Sequence, residues 1–149
     1  MKKILFAFIL ATVLFACKET KKEDPLQKEA KALEDEVMLG HDVAMPKSMK
    51  IPDLEKKVKA MLDSIEKLPA NAKVTAAPLT QKLQGLAADL SYAYNAMDKW
   101  MVEFEFDSAR NNIEQRIKYL TEEKIKVNKM KEAVLNSLAK ADSLLKAKL

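Results

Sequence analysis

At 149 residues the chain is long enough for one domain with a modest core, and one domain is the expectation. Its 26 basic and 22 acidic residues give a formal charge of +4, but they are interspersed, with no basic stripe bearing regular aromatics. That pattern belongs to solvated helix surfaces and points away from nucleic acid as a partner.

The first segment, residues 1–16, reads as a secretory signal. Lys2 and Lys3 precede an apolar stretch from Ile4 to Ala16, interrupted only by Thr12 and too short to span a bilayer comfortably. The only cysteine, Cys17, follows at once. Leu14, Phe15 and Ala16 resemble a bacterial lipobox, although Phe15 is bulkier than the usual occupant of its position. The resemblance implies that Cys17 is lipidated (palmitate among its acyl chains) and becomes the new N-terminus. It is then an anchor, unavailable as nucleophile, metal ligand or half of a disulfide. Each buried methylene of an acyl chain contributes roughly 0.8 kcal/mol, so two or more chains hold a protein on a membrane without any transmembrane helix. Lys18 in place of aspartate implies, by likeness to lipoprotein sorting in general, the outer membrane, facing either the periplasm or the cell surface. Residues 17–24 form a lipidated cysteine and charged tether, low in apolar residues. Loss of Lys2 and Lys3 with the signal lowers the net charge from +4 to +2.

Residues 25–149 read as a helical bundle, because only two glycines, Gly40 and Gly85, occur and apolar residues recur three and four apart. Asp24 and Pro25 supply an N-cap and a proline at the first helical position. The helix they start places Leu26, Ala30, Leu33, Val37, His41 and Ala44 or Met45 inward, and Pro46 and Pro52 should kink or end it. A second stretch from about Asp53 turns Leu54, Val58, Met61, Ile65 and Leu68 inward, and PANAKVTAAP then reads as a connection. From about Pro78 a third helix carries the clearest seam: Leu79, Leu83, Leu86, Leu90, Ala93, Met97, Trp100 and Phe104. After FDSARN a last helix presents Ile113, Ile117, Leu120, Val127, Met130, Val134, Leu138, Ala141 and Leu145. One-striped helices bury their stripes on one another. The expected fold is therefore all-α: an up-and-down, coiled-coil-like bundle of three long helices, the first kinked at Pro46/Pro52, or of four helices.

A hairpin centred near Asn71 or Ala72 would set Met45 opposite the neighbourhood of Trp100, and Met49 opposite that of Met97. Five of the seven methionines that follow the signal, Met38, Met45, Met49, Met97 and Met101, fall in two short segments with His41, the only histidine, and Trp100, the only tryptophan. Thioethers select Cu(I), imidazole suits copper, and an indole face can rest against a cation. In residue chemistry this is similar to the His, Met and Trp copper sites of periplasmic copper chaperones. Methionine is also an adaptable core filler and Trp100 lies on the third helix's seam, so packing is the leading reading of the same residues. A small apolar ligand among Tyr92, Tyr94, Trp100, Phe104 and Phe106 is a third reading.

Catalytic patterns are missing. A ferritin-like di-iron centre needs a glutamate three residues before a histidine on each of two helices, whereas this chain has one histidine with Met38 in the glutamate's place. Zinc sites of His and Cys fail on count. No Ser, His and Asp set and no glycine-rich phosphate loop can be specified. Glu34 with Glu36, Glu103 with Glu105, and Glu122 with Glu123 look like ordinary solvated pairs.

EVMLGHDVAMPKSMKI and AMDKWMVEFEF together resemble a family of small Bacteroidetes lipoproteins, labelled after a "viral A-type inclusion protein" repeat. These carry a signal with lipobox, an H-D-x-x-M-P-x-x-M segment, an A-M-x-x-W-M-x-x-F segment and a charged last helix. His41, Asp42, Met45, Pro46, Trp100 and Met101 match that pattern, which brings no activity with it. The expected function is a lipid-anchored, non-catalytic binding or structural module of the cell envelope without a cofactor. It would engage an envelope protein or another copy of itself. The alternative is a Cu(I)-binding or copper-buffering lipoprotein using His41, Met45, Met49, Met97 and Met101, with Trp100 beside the ion.

Overall fold

The computed structural model describes residues 24–146. The signal segment, Cys17 and the tether as far as Glu23 lie outside the described residues, as do the last three. Four helices follow in order: α1 (Pro25–Ser48), α2 (Ile51–Glu66), α3 (Ala70–Glu103) and α4 (Ile113–Lys146). No strand occurs among the described residues.

The start of α1 is as the sequence predicts: Asp24 accepts a hydrogen bond from the Leu26 N–H at 3.0 Å and Pro25 occupies the first turn. Pro46 lies within α1 and does not end it. The break comes at Met49 and Lys50. Pro52 has no N–H to offer the Ser48 carbonyl. The chain adapts by tightening, with the Lys50 N–H donating to the Lys47 carbonyl at 3.1 Å and the Ser48 hydroxyl to the Met45 carbonyl at 2.8 Å. Both junction residues keep right-handed helical backbone angles, so the rod bends and does not turn back. Ala30, Val37, Ala44, Ile51 and Val58 are all buried. They recur every seven residues straight through the break, so by hydrogen bonding there are two helices and by packing one kinked rod.

The third helix begins earlier than the sequence suggests. PANAKVTAAP is not a connection: only Lys67–Pro69 link α2 to α3, with Pro69 as an extended N-cap and Pro78 inside the helix. Pro78 is tolerated because it and Val74, whose carbonyl loses a partner, both lie on the exposed side, where water can replace the bond. A shorter link moves the hairpin's centre back by about two residues, which shifts paired positions by about one helical turn. His41, not Met45, therefore comes to face Trp100. The rest of the α3 seam is as predicted, with Leu83, Leu86, Leu90, Ala93, Met97 and Trp100 buried and Leu79 and Phe104 half-buried.

Helix α4 opens where expected, its first turn capped by Asn112, whose Oδ1 accepts from the Gln115 N–H at 3.1 Å. Its seam is different. The buried residues are Arg116, Leu120, Glu123, Val127, Met130, Val134, Ser137 and Ala141, while Ile113, Ile117, Leu138 and Leu145 are displaced to the half-buried flanks.

The rods run up, down and up: α1 lies parallel to α4, and α3 antiparallel to both. Helix α1 packs most intimately on α4 and only lightly on α3. Gly40 allows this, since a Cβ there would stand 3.0 and 3.1 Å from the two methyls of the fully buried Val127. Helix α4 ends beside the middle of α3, where Lys140 pairs with Asp89 at 2.5 Å. The last turns of α4 still border Lys82 and Leu86 of α3 through Leu144, and Lys57 of α2 through Asp142; beyond them α2 and the opening turns of α3 pair mainly with each other.

Gly40 and Gly85 should therefore respond oppositely to alanine. Gly85 meets nothing within 4 Å, so Gly85→Ala gains helix propensity of about 1 kcal/mol. Gly40→Ala gains the same but forces the stiff Val127 to move, an overpacking penalty of roughly 1–3 kcal/mol. Urea unfolding should show a raised midpoint for the first and a lowered one for the second, with Val127→Ala relieving Gly40→Ala in the double variant.

Candidate functional site

Trp100 arrives on the α3 seam with an indole N–H that must be satisfied once it is buried. Glu123, at a seam position of α4 and only 3% exposed, meets it: Nε1–H donates to Oε2 at 3.0 Å. The other carboxylate oxygen accepts from Lys126 Nζ at 2.7 Å. Phe104, one turn on, stacks on Trp100 at 4.8 Å between centroids, and Tyr119 of α4 lies 6.1 Å from Phe104. The Tyr119 hydroxyl accepts from the Glu105 N–H at 2.7 Å, and burial raises its pKa above the ordinary tyrosine value.

Arg116, 5% exposed, closes this end of the bundle. One guanidinium nitrogen donates to Glu34 of α1 at 2.8 Å and another to the Ser108 carbonyl at 2.9 Å, in the connection between α3 and α4. Ala109 turns that connection with a left-handed backbone, φ 56°. Glu34 and Glu123 are thus not solvated acids. Each is held by a partner across a helix interface.

On the opposite side Trp100 faces His41, 5.6 Å away and tilted by 31°. His41 Nδ1 lies 3.0 Å from Asp42 Oδ1. Met38, His41, Trp100, Met101 and Phe104 line a shallow open depression of about 170 Å³ between α1 and α3.

The sequence-predicted ligands are only partly brought together. His41, Met101 and Trp100 meet in this depression, and Met38 joins them. Met97 is buried in the core and Met45 is half-buried against it. Met49, 67% exposed, lies on a different groove with Lys47, Lys50 and Leu138. The aromatic set stays together in part: Trp100, Phe104 and Phe106 pack in series, Phe106 edge-on to Phe104 at 6.4 Å, whereas Tyr92 and Tyr94 are exposed and neither lines the depression. Tyr92 borders a separate groove between α3 and α4. Among the described residues no three His, Cys, Asp or Glu side chains converge as a metal site of those donors requires.

Glu123, Arg116 and Tyr119 are absent from the sequence-predicted set. A signal for the first two exists: the four-three spacing of Leu120, Val127, Met130 and Val134, continued through every turn, falls on both. The chain matches no family model, no curated protein and no solved structure.

Glu123→Leu should leave the Trp100 N–H without an acceptor and lower stability by about 1–3 kcal/mol. Glu123→Gln keeps an acceptor oxygen and should lose less, and the indole emission maximum should move only in the leucine variant. Both measurements come from one denaturant titration followed by tryptophan fluorescence.

A second expected outcome concerns alkaline pH. Tyr119 and Lys126 both have raised pKa values, the first mainly by burial and the second mainly by its bond to Glu123. A raised folded value means that the native state favours the protonated form. The associated stability is complete below the unfolded values, near 10.0 for Tyr119 and 10.5 for Lys126, and is lost as pH rises through the folded values. Absorbance at tyrosinate wavelengths should show one tyrosine ionising later than the others, and Tyr119→Phe should remove that late step.

Proposed function

We propose that this chain is a lipid-anchored helical-bundle lipoprotein of the cell envelope, a non-catalytic binding module held on the outer membrane through Cys17. The observation that carries the reading is polarity along the rod. Pro25, next to the tether, lies at the end where α3 passes into α4, and the α2–α3 connection lies at the other. Along the kinked rod of α1 and α2 that separation is about 60 Å at 1.5 Å per residue. None of the described helices is long and apolar enough to cross a membrane, so in this reading the hold on the bilayer rests on the acyl chains.

The far tip has the character of a docking surface. Val74 is 76% exposed, Leu68 is exposed, and Met61, Ile65 and Leu79 line an open groove between α2 and α3. Residues 53–82 carry Lys56, Lys57, Lys59, Lys67, Lys73 and Lys82 against Asp53, Glu55, Asp63 and Glu66; Lys56, Lys59 and Lys73 pair with Asp53, Asp63 and Glu66, and a net positive charge remains. An apolar surface with a basic rim suits an envelope protein with an acidic, apolar face. It opposes a second copy, which would bring lysine against lysine.

A photo-crosslinking residue at position 74 should yield one discrete adduct in intact envelopes. The same residue at exposed Val102, near the tether end, should yield none, and Lys56, Lys57 and Lys59 changed to Glu should abolish the adduct at 74. An adduct of the chain with itself, or none at 74, overturns the docking assignment. Cys17→Ser should release the protein from membranes, and retention overturns the anchor.

A further inference from the structure

Between α1 and α3 the packing is light, with α1 drawn against α4 at Gly40. The gap is filled by long side chains. Those lining its outer part have an unusual chemistry for a bundle seam: two thioethers, Met38 and Met101, one imidazole, His41, and the aromatic rings of Trp100 and Phe104. No carboxylate lines the depression.

Three features make this more than packing. Met38 and His41 stand three residues apart on one helix, so their side chains share a face. Asp42 Oδ1 stands 3.0 Å from Nδ1, placed to accept a proton in the tautomer that leaves Nε2 as the lone-pair donor, the arrangement usual for metal-bound imidazoles. Trp100 turns its N–H away to Glu123, so what it offers toward His41, 5.6 Å away between ring centroids, is ring surface, which attracts a cation held beside it. The donors are also reachable, with Met101 40% exposed and the His41 side chain 21%.

We propose that Met38, His41 and Met101 bind one Cu(I) ion beside the face of Trp100. Two thioethers and one neutral imidazole form a soft, low-charge donor set that favours Cu(I) over Zn(II), Mg(II) or Ca(II). Binding requires no redox step and displaces no proton from a thiol. The site depends neither on the docking tip nor on lipidation of Cys17, so it stands or falls separately from them.

The test uses the full chain in detergent, carrying Cys17→Ser so that no thiol competes for the ion. Cu(I) is added under reducing, anaerobic conditions against a chromogenic Cu(I) chelator, with emission from the sole tryptophan followed in parallel. One equivalent should bind and quench Trp100. Met38→Leu with Met101→Leu, which nearly conserves volume, should weaken binding by about 100-fold or more, whereas Met49→Leu should leave it unchanged. Cu(I) is diamagnetic, so methionine methyl resonances of the chain with its methionines intact supply a readout that needs no methionine variant. Those of Met38 and Met101 should shift, and those of Met61 and Met130 should not. No binding in competition with the chelator, binding that survives the double leucine variant, or shifts confined to other methionines would each overturn the site.

Discussion

The approach of α1 to α4 at Gly40 sets the geometry of the whole molecule. Val127 is β-branched and fully buried, and it occupies the space where a side chain at position 40 would begin. Ala30, Val37 and Ala44 continue the same narrow contact along α1. Three rods cannot all be equally close when one pair is pulled together by small residues. The slack therefore appears between α1 and α3, and it is taken up by Trp100, Phe104, Met38 and His41. The aromatic and thioether cluster follows from a missing Cβ one helix away.

A second layer of order is polar. Arg116 with Glu34, and Glu123 with Trp100 and Lys126, occupy seam positions where apolar residues would bury more hydrophobic surface. Such groups are costly to desolvate and add little net stability, but they accept few alternative partners. Sliding α4 by one heptad along α1 and α3 would still match apolar residues to apolar residues. It would strand a guanidinium and a carboxylate in the interior. Polar groups at bundle seams fix register in this way.

How far the fold can be read from the sequence depends on whether each seam is apolar throughout. The α3 seam is, and every position read from its spacing lies inward. In α4, Arg116, Glu123 and Ser137 break the apolar pattern, so Ile113, Ile117, Leu138 and Leu145 are assigned inward from the sequence alone and prove to be flanking. The link between α2 and α3 is obscured by Pro69 and Pro78, residues that mark loops in one context and sit at the cap or on the wet face of a helix in another. That single misreading shifts the paired positions by about a turn. It replaces Met45 with His41 opposite Trp100 and changes which methionines belong to the cluster. The chemistry of the candidate site is visible in composition, but its membership is decided by a three-residue connection.

The bundle does not keep one cross-section along its length. Near the α3–α4 connection it is a three-helix shaft, and past the end of α4, beyond Lys82 and Lys57, it thins to a pair. In mechanical terms it is a cantilever whose compliance is concentrated at the free end, because fewer buried contacts resist local opening there. Tension applied at Lys67–Pro69 would be carried by α2 and α3 alone until Lys140 and Leu144 transfer part of it to α4. The bend at Met49 and Lys50 lies on that load path, inside the shaft, where α4 braces it.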